Sequence, residues 1–229
     1  MKKACFITGT DTGVGKTLVT TGLIRLFSED GFKVAGMKPV ASGCKKTGQG
    51  LRNDDAERLM QQSNVDLEYE SINPYAFEPP VSPHFAAQEI DQQIKLDHIV
   101  ENLSKISDVV DIVIIEGVGG WRVPLGENLD VSDLAEKLNL PVILVVGLRL
   151  GCINHALLTA AAIQTKGLAL IGCVASQIEE EYQRCDETLE TLEKRLGVPI
   201  QFIPRVENAT AEKISCYIKE TKRQINEKI

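Results

Sequence analysis

The chain has 229 residues, a formal net charge of −7 and 25% charged residues. A sequence pI near 5.1 excludes a general nucleic-acid binder working through a basic surface, and no apolar run approaches the roughly 20 residues of a membrane-spanning helix. With 43% hydrophobic residues the chain can bury the core of one large α/β domain, the organisation expected for residues 1–229.

The N-terminus, "MKKACFITGT", has two lysines but a very short apolar run, so it reads as a first strand rather than a secretion signal. "KTLVTTGLIRLFSEDG" follows as an amphipathic helix ending at Gly31, and "KVAGMKPV" as a second strand stopped by Pro39. The stretch from Ala41 to Ile94 is dense in Gly, Pro, Ser and Asn and reads as loop-rich. Beyond it come "DIVIIEG", "PVILVVG" and "LALIGCVAS", short runs apolar on both faces, with helical segments at 131–139 and 153–166 between them. Strands of this kind are covered on both sides by helices. The expected fold is therefore α/β, a doubly wound, mainly parallel sheet flanked by helices. The charged tail at 220–229 is where fraying is expected. The six cysteines form no CxxC pair, and the three histidines do not cluster with them at metal-ligand spacing. Reduced thiols in a cytoplasmic enzyme are expected, without structural zinc.

"FITGTDTGVGKTLVT" almost spells the phosphate loop G-x-x-x-x-G-K-[ST]. Gly15, Lys16 and Thr17 supply its ending, but the first position is Thr10, and the nearest glycine, Gly9, comes one residue early. The context still favours a phosphate loop: a strand precedes it and a helix follows, so the backbone N–H groups of residues 13–17 converge at a helix N-terminus. Lys16 would reach the β- and γ-phosphates and the Thr17 hydroxyl would hold Mg²⁺. "DIVIIEG" places Glu116 at the carboxyl end of a buried strand, where open α/β sheets bind ligands. "RNDDA" adds Asp54 and Asp55, with Asp54 read as a helix cap or solvated charge. Mg²⁺ takes oxygen ligands, few of them from protein, so Thr17, Glu116 and Asp55 would suffice.

"GTDTGVGKT", "KPVASG", "RNDDA", "NPYAFEPPVSPH", "EGVGGW" and "LPVILVVGLRLGCINHALLT" together resemble the successive signatures of dethiobiotin synthetase, in that family's order. The family's own loop, GTDTxVGKT, has the same displaced glycine. The resemblance implies a ligase that closes a cyclic urea on 7,8-diaminopelargonate with CO₂ and ATP, with Mg²⁺ as cofactor, giving dethiobiotin, ADP and phosphate. It implies catalytic roles for Lys16, Lys38 and Thr12. It also implies ATP binding by Gly13, Val14, Gly15, Lys16, Thr17, Leu18, Asp55, Glu116, Gly117, Val118 and Gly119. Ser42 and Lys38 would bind the substrate, and Gly151, Cys152, Ile153 and Asn154 would hold its carboxylate tail from the partner subunit of a homodimer. At the adenine the sequence departs from many family members, which have an asparagine after "GCVA". Ser176 and Gln177 stand here, and a serine hydroxyl makes only part of a two-point contact; Gln177 or Pro204, Arg205 and Val206 would compensate. Thr12 and Asp11 each have two open readings: a hydroxyl offered to the substrate or γ-phosphate by Thr12 and a hold on metal-bound water by Asp11, or local turn hydrogen bonding by either. The rival reading is a P-loop switch or partitioning ATPase, which usually carries an additional lysine early in the loop; none lies between Gly9 and Gly15.

Overall fold

The computed structural model describes residues 3–228. Six strands form the main sheet: β1 (Lys3–Gly9), β2 (Val34–Met37), β3 (Ile112–Glu116), β4 (Val142–Leu148), β5 (Leu170–Gln177) and β6 (Ile200–Ile203). All pairs are parallel, in the order β6-β5-β4-β1-β3-β2. Among the described residues ten helices accompany them: α1 (Lys16–Glu29), α2 (Asp54–Gln62), α3 (Tyr69–Ile72), α4 (Pro83–Glu89), α5 (Leu96–Val109), α6 (Val131–Leu138), α7 (Cys152–Thr165), α8 (Cys185–Leu196), α9 (Ala211–Ser215) and α10 (Lys219–Lys228). Because strand side chains alternate, β3 serves two cores. Val113 and Ile115 pack with Phe6, Met37 and Ile99 on one face, while Ile112 and Ile114 pack with Ile7, Leu23 and Phe27 on the other. Each such fully buried side chain stabilises the fold by about 1.5–3 kcal/mol before entropy is counted.

The register of the sheet places the chemistry. Ile7 of β1 lies opposite Glu116 of β3, Met37 of β2 opposite Ile115, and Gly9 opposite Val145 of β4. The carboxyl ends of β1, β2 and β3 therefore finish at one edge. From there β1 connects towards β2 on one side, and β3 crosses to β4 on the other. This reversal is the crevice where open α/β sheets take their ligands.

The stretch 41–94 is more regular than its composition predicts. It holds α2, α3 and α4, a short antiparallel ladder (Lys45–Thr47 with Gly50–Arg52) and a two-residue parallel pairing of Val40–Ala41 with Tyr75–Ala76. These elements are short and polar; α2 buries only Ala56 and Leu59, so it leaves little hydrophobic periodicity to read. The charged tail, where fraying is expected, is helix α10 through Lys228, with Thr221, Gln224 and Ile225 buried. Among the described residues no helix is long and apolar enough to cross a membrane, and all six cysteines are free thiols.

Candidate active site

The displaced glycine has a local cause. Thr10 donates its N–H to the Val145 carbonyl at 3.0 Å, carrying the β1–β4 ladder one residue past Gly9. At Gly9 the backbone folds beneath Val14, whose Cγ2 would lie 2.7 Å from any added Cβ. The glycine is therefore needed at position 9, while Thr10 still belongs to the sheet edge. Gly15 then caps α1 in the left-handed region, at φ 97°, which a glycine adopts without steric cost.

Around this loop lies a cavity of about 770 Å³. Of the residues expected at the site, it gathers Thr12, Gly13, Gly15, Lys16, Thr17, Leu18, Lys38, Ser42, Asp55, Glu116, Val118 and Gly119. Asn53, Arg58 and the segment Pro80–Pro83 also line it. Arg58 was not legible as a site residue, although it follows Asp55 by three positions and so shares its face of α2. That spacing is informative only once α2 is recognised.

Two lysines with opposite surroundings face this cavity. Lys38, buried at the end of β2, donates to Glu116 Oε1 at 2.5 Å, to the Gly117 carbonyl at 3.2 Å and to Asp55 Oδ2 at 3.3 Å. Burial pulls its ammonium down, but the charges of Glu116 and then Asp55 outweigh that, and its pKa stands above the ordinary lysine value. Lys16 has no such direct partner: its ammonium turns back onto the Asp11 carbonyl oxygen at 2.8 Å. Burial lowers its pKa to about 8; the nearby Lys38 charge adds to the shift, and Glu116, Asp55 and Asp11 oppose it. The Asp55 carboxyl is held below its ordinary value, since Lys38 and hydrogen bonding from Thr17 outweigh the effect of burial.

Thr17 Oγ1 donates to Glu116 Oε1 at 2.9 Å, so the loop, β2 and β3 meet on one carboxylate. The other oxygen of that carboxylate, Glu116 Oε2, is buried without a hydrogen-bond partner, as is Ser42 Oγ. Such orphaned atoms are costly unless a ligand completes them. Thr17, Asp55 and Glu116 form an all-oxygen donor set that fits Mg²⁺. Among the described residues no cluster of three or more His, Cys, Asp or Glu could hold a metal alone, so phosphate and water oxygens would have to complete such a site. Asp54 lies outside the cavity lining and pairs with Lys45 at 2.7 Å.

Other expected residues lie elsewhere. Val14 is buried beneath the loop, against the sheet at Gly147. Ser176 abuts the opposite side of the phosphate loop: its Oγ would sit 3.1 Å from a Cβ at Gly15. The Gln177 amide donates to the Glu179 and Glu180 carbonyls at 3.3 and 3.2 Å, so local turn bonding engages the group expected to read the base. Pro204, Arg205 and Val206 follow β6, with Arg205 exposed. Gly151 caps α7 at φ 92°. Of the four amides expected to hold an anion there, that of Cys152 donates to the Arg149 carbonyl at 3.0 Å, and the Cys152 side chain is buried. Asn154 is exposed. The Asp11 side chain accepts from Thr12 N–H at 2.7 Å and from Arg149 Nη2 at 2.5 Å, which together hold its pKa down.

A family model described as an AAA domain matches residues 3–213. Over 217 residues the chain is 46% identical to the ATP-dependent dethiobiotin synthetase BioD of Pseudomonas aeruginosa, covering 94% of this chain and 95% of that one. It is 44% identical over 218 residues to the protein of the same name from Cellvibrio japonicus, covering 95% and 96%. Among solved structures, a ParA family ATPase from Chlorobium tepidum aligns with a TM-score of 0.57 at 14% identity, over 100% of this chain and 97% of that one. The septum site-determining protein MinD of Pyrococcus horikoshii, complexed with Mg-ADP, aligns at 0.54 and 16%, over 94% and 86%. At these identities the structural likenesses establish the fold alone, a P-loop NTPase sheet.

Proposed function

The chain belongs to the ATP-dependent dethiobiotin synthetases, carbon–nitrogen ligases of biotin biosynthesis, and from that premise we propose how its cavity closes the ring. One amine of 7,8-diaminopelargonate adds to CO₂ and loses a proton, giving a carbamate. A carbamate oxygen then attacks the γ-phosphorus of ATP, the bond to ADP breaks, and a carbamic-phosphoric anhydride forms. The second amine attacks the carbamate carbon, loses its proton, and phosphate leaves with the attacking oxygen.

An anionic carbamate and a triphosphate repel one another, so the chemistry asks for fixed positive charge and alignment rather than for a protein nucleophile. The observation that carries this reading is the presence of two buried ammonium groups on one cavity. Lys16, on the loop, turns from the Asp11 carbonyl to the β- and γ-phosphates. Lys38, fixed by Glu116 and Asp55, holds the carbamate oxygen as it approaches. Ser42 offers its unpartnered hydroxyl to the substrate, and Thr12 supplies a further donor at the γ-phosphate. Thr17, Asp55 and Glu116 would hold Mg²⁺, which when bound offsets the charge on the phosphate oxygens.

The tail of the substrate would reach the start of α7 in a second copy, within a cytoplasmic homodimer. Supporting this, Leu150 is 98% exposed and Leu158 63% exposed on either side of Asn154, an apolar surface suited to a partner. The test is incubation with diaminopelargonate, bicarbonate, Mg²⁺ and ATP, with dethiobiotin detected by mass. ATP hydrolysis without that product would favour a switch ATPase.

A further inference from the structure

The signature "NPYAFEPPVSPH" contributes Pro80–Pro83 to the cavity wall, but its first residue, Asn73, lies behind that wall and is buried. Its amide Nδ2 donates to the Lys38 carbonyl at 2.6 Å and to the Tyr75 carbonyl at 3.3 Å. Its Oδ1 accepts from the Tyr69 hydroxyl at 3.0 Å. That hydroxyl in turn accepts the backbone N–H of Asn53 at 2.8 Å. Asn53 is the N-cap of α2, and its side chain accepts from the amides of Asp55 and Ala56 at 3.1 and 3.3 Å. The Lys38 N–H is also fixed, by the Ile72 carbonyl at 2.9 Å.

A continuous buried chain of hydrogen bonds therefore runs from the backbone of Lys38, through Asn73 and Tyr69, to the cap that starts α2 and presents Asp55. The guanidinium of Arg52 covers the Tyr69 ring, 4.0 Å from its centroid, which fixes the ring's plane. We propose that Tyr69 and Asn73 are positioning residues that set the placement of Lys38 relative to Asp55 in the cavity wall. Neither touches the cavity itself. The C-terminal end of α2 is already held on β2, where Ser63 accepts the Gly36 N–H at 3.0 Å; Tyr69 and Asn73 tie its opposite end, at the Asn53 cap, to the backbone of Lys38. Partners behind metal-binding and catalytic groups commonly matter nearly as much as the groups themselves. The inference rests on the roles proposed above for Lys38 and Asp55.

Two variants divide the chain of bonds. Tyr69→Phe leaves the Asn53 N–H unpaired and loosens the cap that holds Asp55. Asn73→Asp keeps an acceptor for the Tyr69 hydroxyl but removes the donor to Lys38. Calorimetric titration of ATP at a series of Mg²⁺ concentrations reads the first arm without requiring turnover, and kcat for dethiobiotin at saturating Mg²⁺ and ATP reads the second. Tyr69→Phe should need about tenfold more Mg²⁺ for half-maximal ATP affinity. Asn73→Asp should lose roughly 10–100-fold in kcat with a smaller change in KM for ATP.

Thr221→Val is the control for stability alone. It removes a partly buried hydrogen bond from α10 to Gln201 that involves no cavity residue, so it should lower the thermal midpoint without moving either readout. If both site variants fold and keep the wild-type Mg²⁺ dependence and kcat, or if Thr221→Val moves these readouts equally, the proposal is overturned. Should one site variant not fold, the other decides. A wild-type protein that binds Mg·ATP but makes no dethiobiotin would overturn the reaction reading instead, while the Mg²⁺ titration would still judge Tyr69.

Discussion

Replacing Lys38 with methionine removes the ammonium and keeps most of the side chain's volume, so its consequences can be worked from the geometry. Glu116 is fully buried, and Lys38 is its cationic partner at 2.5 Å. Taking one member from a buried pair strands the other charge, a loss of about 3–5 kcal/mol. For a chain of this size that corresponds to a fall of roughly 6–20 °C in the unfolding midpoint. Much of the deficit should return with Mg·ADP, because a bound divalent cation gives Glu116 a new partner. The variant should therefore show a larger ligand-induced rise in midpoint than the wild type. Activity should not return with it: a missing charge-stabilising contact costs about 10²–10³ in rate. Thermal melts with and without Mg·ADP, paired with dethiobiotin formation by mass, give both readouts. A variant that loses less than about 1 kcal/mol, or turns over near the wild-type rate, would refute this account of Lys38.

Asp55→Asn should weaken Mg²⁺-dependent activity by at least tenfold, whereas Asp54→Asn, which breaks only an exposed pair with Lys45, should change stability by no more than about 1 kcal/mol; Mg²⁺ titrations of initial rate distinguish them. With its pKa lowered to about 8, Lys16 in the free protein is largely neutral above that pH and regains a proton when phosphate approaches. ATP affinity should thus fall as pH rises through about 8, with net proton uptake in calorimetry across buffers, and Lys16→Met should abolish that linkage. Ser176→Asn should raise kcat/KM for ATP relative to CTP and GTP if position 176 reads the base; an unchanged ratio assigns that task to other groups. Asn154→Ala should raise KM for diaminopelargonate and leave ATP binding unchanged. Mixed with Lys16→Ala chains under subunit exchange, it should recover part of the activity, and no recovery would place the whole site in one chain.

Much of this site could be read before any coordinates. A glycine-rich turn between a strand and a helix, ending in Gly-Lys-Thr, has few other uses. A carboxylate that ends a run as apolar as "DIVII" has to sit at a strand's carboxyl end. What could not be read was long-range. The Lys38–Glu116 pair joins positions 78 residues apart, and only the parallel register of β2 and β3 brings them together. The preference for Asp55 over Asp54 was read, but its geometric basis was not: Asn53 caps α2, and neighbours in a first helical turn point about 100° apart. Tyr69 and Asn73 were missed for a related reason: the helix that Tyr69 starts and Asn73 caps spans only Tyr69–Ile72, too short to give a periodic signal. The base-binding side was least legible, since Ser176 touches the phosphate loop and Gln177 bonds to its own turn.

In the proposed reaction a carbamate oxygen attacks the γ-phosphate before the ring closes. It is tested most directly with bicarbonate labelled in both carbon (¹³C) and oxygen (¹⁸O), supplied with diaminopelargonate, Mg²⁺ and ATP and quenched before the oxygen label exchanges with water. Mass analysis should find the carbon label in dethiobiotin and one labelled oxygen in inorganic phosphate, in equal amounts with ADP. Unlabelled phosphate formed alongside labelled dethiobiotin would show that water, not the carbamate, takes the phosphoryl group, and would contradict the account.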